Sequence, residues 1–113
     1  MSSLYESTRN KDILATSSEA VLAGLAPDSG LFVMRDLDKM KADIKAMMSM
    51  SYTEMAEYIH GILLPDFPAE TMKECVRLAY SKFDTDEVTP VAKAGDNWIL
   101  ELFHGPSCAF KDV

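Results

Sequence analysis

Two four-residue stretches, Thr16-Ser17-Ser18-Glu19 and Ser51-Tyr52-Thr53-Glu54, do most to limit the folds open to this chain. Each has the form of a capping box. A hydroxyl accepts the backbone N–H three residues on, and a glutamate reaches back to the N–H of the first residue. Such a box fixes where a helix begins. Gly24 fixes where the first helix stops, through left-handed backbone, and Pro65 ends the second. Between these marks the chain has room for short elements only, the pattern of a small mixed domain.

The remaining elements follow from spacing. Leu4 to Arg9 predicts an edge strand, Ile13 to Thr16 a second, and Leu31-Phe32-Val33 a third after the Pro27-Asp28-Ser29-Gly30 turn. From Asp36 onward Leu37, Met40, Ile44, Met47 and Met48 fall at helical spacing and predict one amphipathic helix with a buried stripe. The helix opened by Ser51 turns Tyr52, Met55, Ala56, Ile59 and Leu63 inward, with Gly61 a weak point. Pro68 suits the first turn of a fourth helix, whose buried face is Met72, Cys75, Val76, Ala79 and Phe83. Val88 to Val91 and Trp98 to Phe103 read as two strands joined at Ala94-Gly95-Asp96-Asn97. The fold class is α+β, with about four helices and a few short strands. The division falls at about Thr85, giving an accessory domain over 1–85 and a second segment over 86–113.

Composition narrows the function classes. The chain is 48% hydrophobic and 26% charged, as an ordinary globular protein is. A net charge of −7 argues against nucleic acid or an anionic membrane as partner. Two cysteines make no disulfide framework, and Cys75 reads as a small buried hydrophobe. There is no apolar run long enough to span a membrane and no secretory leader, so a cytoplasmic location is expected. His60 and His104 lack paired spacing, so no metal site is expected. The methionines Met40, Met47, Met48, Met50 and Met55 offer either an adaptable partner surface or, as such stripes more often do, core. The acidic residues near Asp84 read as a solvated loop, and no glycine-rich phosphate cradle is present.

Chemistry concentrates in the last fourteen residues, where an apolar strand ends at His104-Gly105-Pro106 and is followed by Ser107, Cys108, Ala109, Phe110, Lys111 and Asp112. Ser107 reads as a helix N-cap, which puts Lys111 in the first turn, where the helix dipole disfavours its charged form. A neutral amine is a nucleophile for carbonyl carbon. The plainer reading is a solvated surface lysine.

Glu101-Leu102-Phe103-His104-Gly105-Pro106 with Ala109-Phe110-Lys111-Asp112 closely resembles the cofactor-lysine segment of the threonine synthase family of pyridoxal-phosphate enzymes. Ser107 stands where threonine is usual and Cys108 where leucine is usual. Tyr5-Glu6-Ser7-Thr8-Arg9-Asn10 is similar to the family's opening signature. Ser18 to Val33 resembles its next block, with Ser29 in place of a usual glycine; Met34 then replaces a usual proline. Met50 to Ala56 and Ala79 to Phe83 fit as well, so the resemblance covers nearly the whole chain in order.

The resemblance implies that 1–85 is the family's N-terminal domain and that 86–113 begins a truncated pyridoxal-phosphate domain of fold type II, cut just past Lys111. It implies that the parent enzyme converts O-phospho-L-homoserine and water to L-threonine and phosphate. Lys111 would be the catalytic and cofactor-binding residue. Ser107 would either cap its helix, the favoured reading, or donate to the cofactor phosphate. Thr8 and Arg9 are candidates for the substrate phosphate, with a structural ion pair equally open to Arg9. The partners implied are that small-molecule substrate and the missing catalytic domain, and the chain alone is expected to be inactive. Two rivals stand beside this: a phospho-lyase relative releasing a keto acid, and a free-standing acidic protein-interaction module.

Overall fold

A computed structural model describes residues 4–113. The chain divides into two compact units, Met1–Lys73 and Glu74–Val113. The first unit begins with three strands, β1 (Tyr5–Ser7), β2 (Leu14–Ala15) and β3 (Phe32–Met34), in the order β2-β1-β3 and antiparallel throughout. The expectation of an edge strand at Leu4 to Arg9 is therefore corrected, because β1 is the central strand. Backbone hydrogen bonds on both sides explain this: Ser7 N–H donates to the Ile13 carbonyl at 3.0 Å and Thr8 N–H to the Leu31 carbonyl at 2.8 Å.

Both capping boxes form. Thr16 caps α1 (Ser17–Ala23) with Glu19 reaching back, and Gly24 closes it at φ 71°. Ser51 and Glu54 do the same for α3 (Tyr52–Leu63). Asp66 then ties α1 to the loop after α3, accepting the Ser18 N–H at 2.9 Å and the Ser18 hydroxyl. Tyr5 O–H donates to the Leu63 carbonyl at 2.7 Å, joining the same region to the sheet. Ala15, Ala20, Ala26, Met34 and Met72 are the buried apolar residues of this unit.

The single helix expected from Asp36 to Met48 is two separate pieces. Leu37–Lys39 makes one 3-10 turn, Met40 is extended at ψ 124°, and α2 spans only Ile44–Met47. The Asp43 carboxylate accepts the N–H groups of Lys45 and Ala46, so it starts a new helix where the periodicity predicted continuity. The stripe is not buried either: Leu37 and Ile44 are exposed and Met48 is 84% exposed. The inner face of α3 is half-buried, while Met50 and Met72 line an open cleft of about 700 Å³.

The boundary between the units lies within α4 (Ala69–Tyr80). Pro68 precedes that helix and accepts its first bond from the Met72 N–H at 3.0 Å. Of the predicted face, Met72 and Val76 are buried and Phe83 half-buried, whereas Ala79 and the free thiol Cys75 are exposed. The buried line runs i to i+4 from Met72 to Val76, and Cys75 lies one position round the helix.

The second unit contains a hairpin, β4 (Val91–Ala94) and β5 (Asn97–Leu100). The first strand thus begins where the sequence placed its end. Pro90 has no N–H for the ladder, and Gly95 at φ 62° makes a two-residue turn that pairs Ala94 with Asn97. Val88, buried, lies before the strand.

Candidate functional site

Lys111 lies in a loop that closes on itself. The carboxylate of Asp112 accepts two bonds from Ser107, the hydroxyl at 2.6 Å and the backbone N–H at 2.8 Å. These bonds, the Ser107 hydroxyl first and then its N–H, hold the Asp112 carboxyl below its usual range. Gly105 is buried flush against the same residue. A Cβ there would overlap Asp112 Cβ and stand 2.6 Å from Asp112 Oδ2. Cys108 N–H donates to the Gly105 carbonyl at 3.0 Å, and Cys108 adopts left-handed backbone at φ 56°. The loop turns tightly enough that the chain returns on itself within eight residues of Gly105.

This geometry corrects the cap expected at Ser107. The helical element is a single 3-10 turn, Phe110–Asp112, preceded by Ala109 and without a side-chain cap. Ser107 closes the loop instead. A three-residue turn offers the dipole argument for Lys111 no helix to act through. Lys111 is exposed, and its amine enters no ion pair or hydrogen bond among the described residues. Ser107, with both donors on Asp112, has none left for a phosphate while the loop stays closed.

The loop is anchored at His104. Its Nδ1 lies 2.6 Å from Asp84 Oδ1 and its Nε2 2.7 Å from Glu101 Oε2. The bond to Glu101, then that to Asp84, raises the pKa of the imidazole above its ordinary value, against a smaller opposing effect of burial. Asp84 N–H also donates to the His104 carbonyl at 3.1 Å, so the loop at Asp84 is not merely solvated. From the sequence, Asp112 and His104 lie near enough to Lys111 to shape the site but take no assigned step, and Asp84 reads as part of a solvated loop. The readable signal was Glu101 three residues before an imidazole.

Thr8 and Arg9 belong to the first unit. There Thr8 Oγ1 accepts the Leu31 N–H at 3.0 Å, and Arg9 Nη1 reaches the Asp28 carbonyl at 3.4 Å. Arg9 is exposed and forms no ion pair among the described residues, so its structural role is a bond to backbone. The residue that organises this corner is Ser7, 1% exposed, whose hydroxyl donates to the Asp28 carboxylate at 2.8 Å. Asp28 also accepts the Gly30 N–H at 2.9 Å, and that bond foremost lowers its pKa. No local motif announces the Ser7–Asp28 pairing, which spans 21 positions.

Among the described residues no group of three or more His, Cys, Asp or Glu side chains could hold a metal ion. No helix among them is long and apolar enough to cross a membrane.

Comparison with known proteins gives one consistent answer. A family model described as the threonine synthase N terminus matches residues 4–80. The threonine synthase of Eremothecium gossypii is 38% identical over an alignment covering 100% of this chain and 24% of that protein. That of Schizosaccharomyces pombe is 40% identical, covering 96% of this chain and 22% of that protein. The crystal structure of pyridoxal-phosphate-bound threonine synthase from Brucella melitensis matches with a TM-score of 0.79 at 37% identity, over 99% of this chain and 25% of that one. The yeast enzyme matches with a TM-score of 0.81 at 32% identity, over 98% of this chain and 24% of that one. The chain spans about a quarter of the length of the relatives it matches.

Proposed function

The chain belongs to the threonine synthase family, and from that premise we propose that it serves as the N-terminal part of an enzyme converting O-phospho-L-homoserine and water to L-threonine and phosphate. In this reading 1–85 is the accessory domain and 86–113 the start of the catalytic domain, with pyridoxal 5'-phosphate carried on Lys111. The observation that carries it is the position of Lys111: an exposed, unpaired amine on a loop closed by Ser107 and Asp112 and anchored by His104.

The cofactor supplies an electron sink for charge developing at the substrate Cα. Lys111 would hold the cofactor through Nζ and, when not bound to it, would take the Cα proton as general base. Asp112 ties the backbone next to Lys111 back to Ser107, which lowers the cost of ordering the loop. Arg9, exposed and with Nη1 on the Asp28 carbonyl, is the candidate for the substrate phosphate, with Thr8 beside it. Ser107 reaches the cofactor phosphate only if Asp112 releases it, so its first role is the loop. The chain by itself is inactive in this reading, since the remaining three quarters of the relatives' length supplies the rest of the site. A cytoplasmic location suits the two free, exposed thiols, Cys75 and Cys108.

The test uses the protein in which this chain is joined to its remaining catalytic part. O-phosphohomoserine and pyridoxal phosphate are supplied, and threonine, keto acid and phosphate are quantified with and without Lys111→Ala. Threonine and phosphate formed together, and lost together in the variant, are the expected result. Keto acid in place of threonine would move the protein to the phospho-lyases. No product from the unaltered protein would favour an acidic interaction module.

A further inference from the structure

His104 is held between two carboxylates, which favour one protonation state of its ring over the other. Its ring is 13% exposed, and each nitrogen faces a carboxylate within 2.7 Å, Asp84 on one side and Glu101 on the other. An ionised carboxylate only accepts hydrogen bonds, so both nitrogens must donate, and the ring that fits is the imidazolium. The two carboxylates come from different elements: Asp84 from the segment after α4, Glu101 from the residue following β5. The Phe103 ring packs beside it at 4.6 Å between centroids. These two carboxylates are the charged groups acting on the ring, and no cation among the described residues opposes them.

The strut stands at the entrance of the lysine loop. Gly105 follows His104 directly, and Pro106 and Asp112 line a cleft of about 540 Å³ with Leu78, Ala79, Lys82 and Phe83 at the end of α4. Whatever fastens His104 to Asp84 therefore fastens the loop to that helix end. We propose that His104 is a positioning residue for Lys111: as imidazolium it clamps the 105–112 loop to the end of α4, and loss of one proton opens the clamp.

The arm that opens is set by solvation. A neutral imidazole has one N–H to give, so one carboxylate is left facing a lone pair. The Asp84 side chain is 73% exposed and the Glu101 side chain 25%, so water replaces the bond to Asp84 at the smaller cost. The proton leaves Nδ1 for solvent, Nε2 keeps Glu101, and the Asp84 arm is released. The folded-state pKa lies above the ordinary value of 6.5. The clamp is therefore complete below that value and is lost as pH rises through the folded pKa. The clamp stands on its own geometry; its consequence for the cofactor rests on Lys111 being the cofactor lysine.

The experiment follows the His104 ring by NMR from pH 5 to 9, with His60→Gln to assign the two imidazoles, and measures exchange of the Cys108 amide relative to its intrinsic rate. The expected midpoint is above 6.5, falling in Asp84→Asn, and Cys108 protection drops by about fivefold or more through the same midpoint. A midpoint at or below the ordinary value, or protection that ignores it, would overturn the clamp. In the longer protein, cofactor held covalently after chemical reduction is quantified against pH. Asp84→Asn is expected to move the upper limb of that profile to lower pH. An unmoved profile, with Lys111→Ala devoid of bound cofactor, would remove the positioning role and leave the proposed function standing. Covalent cofactor persisting in Lys111→Ala would remove the Lys111 assignment and leave the clamp standing.

Discussion

The corner at Ser7 and the loop at Ser107 are built from the same parts and differ in one respect. Each has a serine hydroxyl donating to an aspartate carboxylate, at 2.8 Å to Asp28 and at 2.6 Å to Asp112. Each has a glycine with no space for a Cβ, Gly30 against Ser7 and Gly105 against Asp112. Each forces a residue other than glycine into left-handed backbone, Ser29 at φ 63° and Cys108 at φ 56°. The difference is water. Ser7 is 1% exposed and sits in the central strand, while Ser107 is exposed and bonds to a half-buried Asp112. A buried hydroxyl–carboxylate joint opens only when the surrounding strands separate. An exposed one has water as a ready substitute and opens locally. The first is a fixture of the fold; the second is a joint that water can open.

The strongest way to break this comparison is to overfill both glycines. In Gly30→Ala the new methyl meets Ser7 Oγ, which is buried and has nowhere to move, and lies 2.9 Å from Asp28 Oδ1 and 3.3 Å from the Arg9 nitrogen. We expect a loss of about 3 kcal/mol and a Tm lower by roughly 10 °C or more in thermal unfolding. A Tm within about 2 °C of wild type would show that the corner yields as easily as a surface loop.

Gly105→Ala comes next in size. The clash is with Asp112 Cβ, so the ring of contacts from Gly105 to Asp112 must open. Because that ring is exposed, the expected Tm change stays within about 3 °C, while the Ser107 and Cys108 amides lose their protection against hydrogen exchange. A global loss as large as that of Gly30→Ala would mean that the loop is part of the cooperative core.

What could be read beforehand divides along the same line of sequence distance. Both capping boxes, the Gly24 stop and the hairpin turn at Gly95 were legible, since each is a local bargain between neighbours on the chain. The α+β class and the lysine loop's membership in a known family were legible for the same reason. The helix expected from Asp36 to Met48 failed because periodicity says nothing of Asp43, whose carboxylate competes for backbone N–H groups. The cap at Ser107 failed because a serine before a helix and a serine closing a loop look alike until its partner is known. Asp28 and Asp84 went unrecognised because each acts on a residue about twenty positions away. Long-range polar pairing carries no period.

The finest test of the comparison relieves backbone instead of crowding it. Ser29 holds left-handed φ in the Pro27-Asp28-Ser29-Gly30 turn, and a side chain there costs about 1 kcal/mol. Ser29→Gly removes that cost but gives the unfolded chain more freedom to lose, so the net gain expected is about 0.5 kcal/mol. Cys108→Gly removes the same strain from the exposed loop. If that loop opens before the rest unfolds, relieving it stabilises a state that global unfolding never samples. The expected outcome is a small rise in Tm for Ser29→Gly, none for Cys108→Gly, and slower exchange at the Cys108 amide in the latter. Equal rises in Tm would mean that both turns melt with the core, and burial would then not be what separates them.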